Sequence, residues 1–202
     1  MDNSSRTRIY TKVSSFFFDF FRFIINSLAY VKNATKSGDV SHALREKLMV
    51  AVSGVLSCKY CTWLHSEMAL THGVDAEEVQ KLLSMEIGDF PDEEAIALAF
   101  AQHYSETGGK PQEKARARLD HYYGRKKAGH IVSFIQIIYF GNLAGNTVDA
   151  FLNRCKGKPA EGSNLWSETV IFLLVSPYYL VILPLLAFTL GHFNSRKAGT
   201  TQ

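Results

Sequence analysis

Cys58 and Cys61 stand three apart in the stretch LSCKYCTWLH (56–65), and His65 follows the second by four. On a helix that begins at Cys58, spacings of three and four put all three side chains on one face. His65 is then placed to touch Cys61. The thiolate is the nucleophile, and both a helix N-terminus and a neighbouring imidazole favour it. Two thiols one turn apart at a helix start can also close into a disulfide. The same donor types make zinc sites, with Cys58, Cys61 and His65 as three ligands and His72 or Glu46 as a fourth. One helix face presents three tetrahedral ligands poorly, and no second CxxC exists in the chain.

Glu46 lies twelve residues before Cys58, on the apolar segment HALREKLMVAVSGVL. A turn at Gly54 and Ser57 would fold that helix back and bring Glu46 near His65. A carboxylate that orients an imidazole, which in turn activates a nucleophile, is a general arrangement in covalent catalysis.

The elements that must position these groups read as helical throughout. Glycine and proline punctuate apolar runs of helical length, with no alternating strand pattern. Residues 41–83 predict three helices. Asp39 or Ser41 caps the first, and Ser57 caps the second, which ends at Gly73. Asp75 with Glu78 forms a capping-box-like start for the third. FPDEEAIALAFAQHYSETGG begins with Pro91 and three acids and stops at Gly108 and Gly109. Two more helices follow, near 111–123 and 127–153. Tyr60 and Trp63 read as core packing. Asn142, Asn146 and Asp149 share helical spacing in the last of these helices.

The two ends differ from the middle. Residues 9–31 are apolar around most of the helix circumference, with Asp19 and Arg22 spaced to pair. This predicts an apolar N-terminal helix (1–37) that lies in a membrane interface or packs on a partner. Residues 154–168 read as a linker. Thr169–Gly191 carries no formal charge over 23 residues. At about 1.5 Å per residue it reaches roughly 34 Å, enough for a hydrocarbon core of about 30 Å. It predicts a transmembrane helix, single-pass near the C-terminus, followed by a short polar tail (192–202). The basic residues flanking the span are too evenly divided to orient it, and a cytoplasmic location for the main domain needs no export. The basic run 110–130 reads as a solvated face.

Composition narrows the function classes. The chain has 202 residues, 47% of them hydrophobic, which suits one domain with an appendage. A net charge of +3 argues against a nucleic-acid partner. Three cysteines do not make a disulfide scaffold at this length, and Cys155 reads as an ordinary free thiol.

The pattern Glu46-x11-Cys58-x2-Cys61-x3-His65, followed by Gly73 and an acidic amphipathic helix, resembles the AhpD-like alkylhydroperoxidase family, related to carboxymuconolactone decarboxylases. The similarity runs through LREKLMVAVSGVLSCKYCTWLHSEMALTHGVDAEEVQKLL to AIALAFAQHYSE and IIYFGNLAGNTVDAF, roughly residues 38–153. It implies an all-α domain assembled as a homo-oligomer, a trimer or hexamer. It also implies a thiol peroxidase or disulfide reductase that needs no cofactor and no metal. On that model Glu46 and His65 relay protons, Cys61 attacks a hydroperoxide or disulfide substrate, and Cys58 resolves. An external dithiol, lipoyl or thioredoxin-like, restores the pair. Tyr60 stands between the cysteines where some peroxidase-competent members have histidine. The apolar ends depart from a soluble antioxidant and imply membrane lipid as a further partner. The alternative is a non-catalytic or weakly redox-active oligomeric subunit of a membrane complex.

Overall fold

The computed structural model describes residues 8–34, 39–177 and 181. It is all-helical, and no strand occurs among the described residues. In chain order the helices are α1 (Val13–Ala34), α2 (His42–Leu56), α3 (Lys59–Thr71), α4 (Ala76–Leu83), α5 (Asp92–Glu106) and α6 (Glu113–Cys155). A shorter apolar helix, α7, spans Leu165–Pro177.

α2 is the central element and packs on α3, α4, α5 and α6. Its residues from Leu44 to Ser53 are all buried, including the charged triplet Arg45, Glu46 and Lys47. Burial of charge is tolerable only with partners. Lys47 has two, Glu78 of α4 at 2.8 Å and Glu94 of α5 at 2.7 Å. That pair of contacts ties three helices together at one ammonium group.

The helix ends follow the capping chemistry with one exchange of roles. Ser41 caps α2, its hydroxyl accepting from the Leu44 N–H at 3.1 Å. Asp75 and Glu78 form the capping box of α4. Ser57, however, is the C-cap of α2 rather than the start of α3, and it adopts φ 56° and ψ 35°. Cys58 itself is the N-cap of α3. The turn between the two helices therefore rests on one non-glycine residue in the left-handed region, where a β-branched side chain is strained. Ser57→Val is expected to cost about 1–2 kcal/mol, with Ser57→Gly at or above wild-type stability. Urea denaturation of the two variants checks this.

Gly54 does not make the turn. It lies inside α2, where an added Cβ would sit 3.0 Å from the Leu82 carbonyl oxygen and 3.1 Å from Leu83 Cα. The missing side chain lets α4 approach α2 backbone to backbone. Gly54→Ala is expected to destabilise by about 1–3 kcal/mol despite its better helix propensity, measurable as a lowered thermal midpoint.

α6 is one continuous run broken at Gly124, whose φ of 73° and ψ of 150° are not helical. It thus corresponds to the two helices expected near 111–123 and 127–153. Among the described residues it is the one helix long and apolar enough to cross a membrane, but 78% of its most apolar window is buried inside the protein. It is the core helix against which α1, α2, α3 and α5 pack.

α1 buries one side on α6. Phe16, Phe20 and Phe23 gather around Phe140, at ring separations of 5.4, 6.0 and 5.0 Å. Asp19 accepts a hydrogen bond from the Tyr10 hydroxyl at 3.0 Å and interacts electrostatically with Arg22. After α6, Arg154 bonds the buried Glu168 and the Ser163 hydroxyl, which anchors the first turn of α7. The uncharged stretch 169–191 begins on α7; residues 178–180 and 182–191 of it, and the polar tail, lie outside the described residues.

Candidate functional site

The turn at Ser57 and the packing of α2 on α3 bring Glu46 to His65, on the helix that starts at the Cys58–Cys61 pair. Glu46 is buried on α2, 1% exposed. Its Oε2 lies 2.8 Å from His65 Nδ1 on α3, and its Oε1 accepts from Arg45 Nε at 3.0 Å. The carboxylate is therefore bracketed by an imidazole and a guanidinium. Burial pushes the Glu46 pKa up, but the His65 hydrogen bond and charge, with Arg45, outweigh it and hold the group below the usual carboxylate range. With Nδ1 engaged by the carboxylate, Nε2 is the ring nitrogen left to exchange a proton with another group.

One turn before His65, the sulfurs of Cys58 and Cys61 lie 3.0 Å apart, not joined in a disulfide, and both residues are buried. Cys58 has no exposed surface, whereas Cys61 is 7% exposed. The Cys61 thiol beside it lowers the Cys58 pKa. Burial opposes this, and the backbone N–H groups of Cys61 and Tyr60 at the helix start add to the lowering. The neighbouring sulfur and the helix start therefore both favour the Cys58 thiolate.

α6 fixes this site from behind. The Asn146 amide donates to the Leu56 carbonyl at 2.9 Å, the last carbonyl before the Ser57 turn, and to the Arg8 carbonyl at 2.9 Å. Asn142 donates to the Ser53 hydroxyl at 3.1 Å and to the Ile138 carbonyl. Asp149 binds Lys59 and receives the Tyr60 hydroxyl at 3.3 Å. The helical spacing of Asn142, Asn146 and Asp149 therefore has a specific use, holding the end of α2 and the start of α3 in register. Only the spacing of these residues was legible in the sequence; their targets were not.

Tyr60 packs half-buried against the core, as expected, and its hydroxyl reaches Asp149. Trp63 is exposed rather than packed in the core, because its position on α3 faces outward from α2. His72 caps α3, with Nδ1 on the Met68 carbonyl and its ring stacked on His42. It is not drawn toward the sulfurs. Among the described residues no group of three or more His, Cys, Asp or Glu side chains converges on a metal position. Cys155 is free and exposed at the end of α6.

A family model, that of the carboxymuconolactone decarboxylase family, matches residues 20–104, the span that holds Glu46, Cys58, Cys61 and His65. Over those residues the chain is similar to that family. Its members include decarboxylases and AhpD-like enzymes, so a carboxymuconolactone decarboxylase fold is compatible with more than one chemistry and the reaction must be argued from the site. No curated protein and no solved structure matches the chain. The matched span ends at α5; α6, with Asn142, Asn146 and Asp149, lies beyond it.

Proposed function

We propose that this protein is a membrane-anchored thiol oxidoreductase that reduces a hydroperoxide or a disulfide with the Cys58–Cys61 pair. The observation that supports the reading is the Glu46–His65 hydrogen bond between α2 and α3, with two sulfurs 3.0 Å apart at the start of the same helix as His65. A decarboxylase has no need of two adjacent thiols.

Glu46 holds the imidazole by Nδ1, and His65 takes the proton that leaves the cysteine pair. The Cys61 thiolate, the less buried of the two, attacks the distal oxygen of a hydroperoxide. The O–O bond breaks, the alkoxide receives the proton from His65, and Cys61 becomes a sulfenic acid. The Cys58 sulfur then displaces that hydroxyl as water, forming the disulfide. An external dithiol supplies two electrons and two protons to reopen it, passing through a mixed disulfide. The lowered Cys58 pKa serves both later steps, since it makes Cys58 a ready nucleophile and a good leaving group.

The uncharged stretch 169–191 supports a single anchor near the C-terminus with the helical domain in the cytoplasm, and membrane lipid as its surroundings. A homo-oligomer, trimer or hexamer, and a lipoyl or thioredoxin-like reductant belong to the same proposal.

The test is a pH titration of the pair by thiolate absorbance and by alkylation rate. Thiolate is expected to appear below the ordinary cysteine value of about 8.5. In Cys61→Ala the Cys58 titration is expected to move back up, because the Cys61 thiol is the main cause of the lowering. A wild-type pair that titrates at or above the free-thiol value, with no change in Cys61→Ala, counts against the reading.

A further inference from the structure

Two cavities adjoin one another between α1, the end of α5 with the turn after it, and α6. The larger, of about 500 Å³, is lined by Phe18, Asp19, Arg22, Tyr104, Lys110 and Tyr139 among others. The smaller, of about 420 Å³, shares Arg22, Tyr104 and Gly109 with it. Each is of the size that small-molecule sites have, roughly 300–1,000 Å³. None of Glu46, Cys58, Cys61 and His65 lines either one.

Arg22 is the charged residue that the two cavities have in common, and it is half-buried on α1. Its guanidinium lies 5.3 Å from the centre of the Phe18 ring. The Asp19 carboxylate acts on it as a nearby charge, but accepts its hydrogen bond from the Tyr10 hydroxyl. Among the described residues, no hydrogen bond or close ion pair engages the Arg22 side chain. A charge withdrawn from water ordinarily has an acceptor within its own chain. Here a planar fork of N–H donors lines both cavities without one.

Such a fork matches the two oxygens of a carboxylate or of a phosphate. The other walls choose between them. Tyr104 and Tyr139 meet edge to face at 5.3 Å and, with Phe18, offer rings to an aromatic body. Asp19 in the same cavity repels a dianion, whereas a single negative charge is balanced by Arg22 and the exposed Lys110. We propose that the joined cavities bind a small aromatic monocarboxylate, with its carboxylate on the Arg22 fork and its ring against Phe18, Tyr104 and Tyr139. This is a second site, apart from the cysteine pair, and it stands without the thiol reading. Its walls come from α1, α5 and α6, so a bound carboxylate joins α1 to the core.

The experiment is isothermal titration calorimetry on the full chain in a neutral detergent, with phenylacetate as the probe. Wild type is expected to bind it with a dissociation constant of about 0.1–1 mM, the range for a ligand of about ten non-hydrogen atoms. Phenylacetamide, which has the same shape without the charge, is expected to bind about tenfold more weakly or worse. Arg22→Gln is expected to weaken phenylacetate binding by about 10–100-fold, the value of a charge-assisted hydrogen-bonded pair. Arg22→Lys keeps the charge but loses the fork, and is expected to weaken it by about fivefold. Cys61→Ser is expected to bind as wild type does. Wild type that does not prefer phenylacetate to phenylacetamide overturns the proposal. So does an Arg22→Gln protein that keeps its helicity and its affinity; if that variant does not fold, wild-type affinity in Arg22→Lys has the same force. Tighter binding of phenyl phosphate overturns the carboxylate assignment, and tighter binding of octanoate overturns the aromatic one. Loss of binding in Cys61→Ser places the probe at the cysteine pair and overturns the second site, leaving the thiol reading untouched.

Discussion

In a Glu46→Gln variant, peroxide-driven closure of the Cys58–Cys61 pair is expected to slow by about 10²–10³-fold, the range for loss of a positioned proton-transfer group. Glutamine keeps the shape of the side chain but not the charge. The imidazole then has a neutral partner at Nδ1 and a weaker drive to accept a proton at Nε2. The effect should also be visible in stability. Neutralising one partner of the buried Arg45–Glu46 pair is expected to cost about 3 kcal/mol, because the remaining charge loses a counter-charge. The sign of the pH dependence follows from the lowered Glu46 pKa. A carboxylate held below its unfolded value contributes stability that is fully present above the unfolded pKa and is lost as pH falls through the folded one. The stability gap between wild type and Glu46→Gln should therefore be widest at neutral pH and close in acid. Urea midpoints across that range, run beside the oxidation rate, check both parts. A gap that widens in acid would show that Glu46 is not held as an anion.

The second large effect separates the two sulfurs. Cys61→Ser is expected to abolish turnover, with no sulfenic acid formed on mild peroxide. Cys58→Ser is expected to abolish turnover as well, but with a sulfenic acid that accumulates on Cys61 and is trapped by dimedone. The two variants lose the same activity for different reasons, since one lacks the attacking thiolate and the other lacks the thiol that resolves its product. The alternative order is concrete: Cys58, whose pKa is lowered at the start of α3, would attack and Cys61 would resolve. A dimedone adduct on Cys58 in Cys61→Ser, with none on Cys61 in Cys58→Ser, reverses the assignment. Mass spectrometry of the trapped peptides distinguishes the two orders directly.

The local chemistry of this site was legible in sequence wherever it depended on spacing along one helix. Cys58, Cys61 and His65 fall on one face of α3 because three and four residues make a turn. The capping box at Asp75 and Glu78 and the acids after Pro91 were equally plain. What spacing could not reveal was which side of each turn a residue serves. Ser57 has the right chemistry for either end of a helix, and only the left-handed backbone between α2 and α3 makes it a C-cap. Gly54 carried a turn signal, yet its role is to let α4 approach α2, a contact between elements almost thirty residues apart.

The charged triplet Arg45-Glu46-Lys47 shows the same limit from the other direction. Three adjacent charges ordinarily mark a solvated face, but here all three are buried, Arg45 against Glu46 and the other two with partners from elsewhere in the fold. Lys47 reaches Glu78 and Glu94, and Glu46 reaches His65. The motif pointed to Glu46; nothing in the sequence pointed to Lys47. Likewise the buried side of α1 depends on Phe140, more than a hundred residues later. An apolar helix end reads the same whether it covers its own core, a partner or a bilayer. α1 does the first with Phe16, Phe20 and Phe23, and leaves Phe18, Phe21 and Ile25 for something else.

The central claim is that Cys58 and Cys61 form a redox pair served by Glu46 and His65. Its most direct test is thiol trapping and peptide mass spectrometry on the full chain after mild peroxide, in wild type, Glu46→Gln and His65→Ala. The account predicts a Cys58–Cys61 disulfide in wild type that a dithiol reopens, and a pair that closes far more slowly in both variants. A wild-type pair that stays reduced and unreactive, or one that closes equally fast in all three proteins, would contradict it.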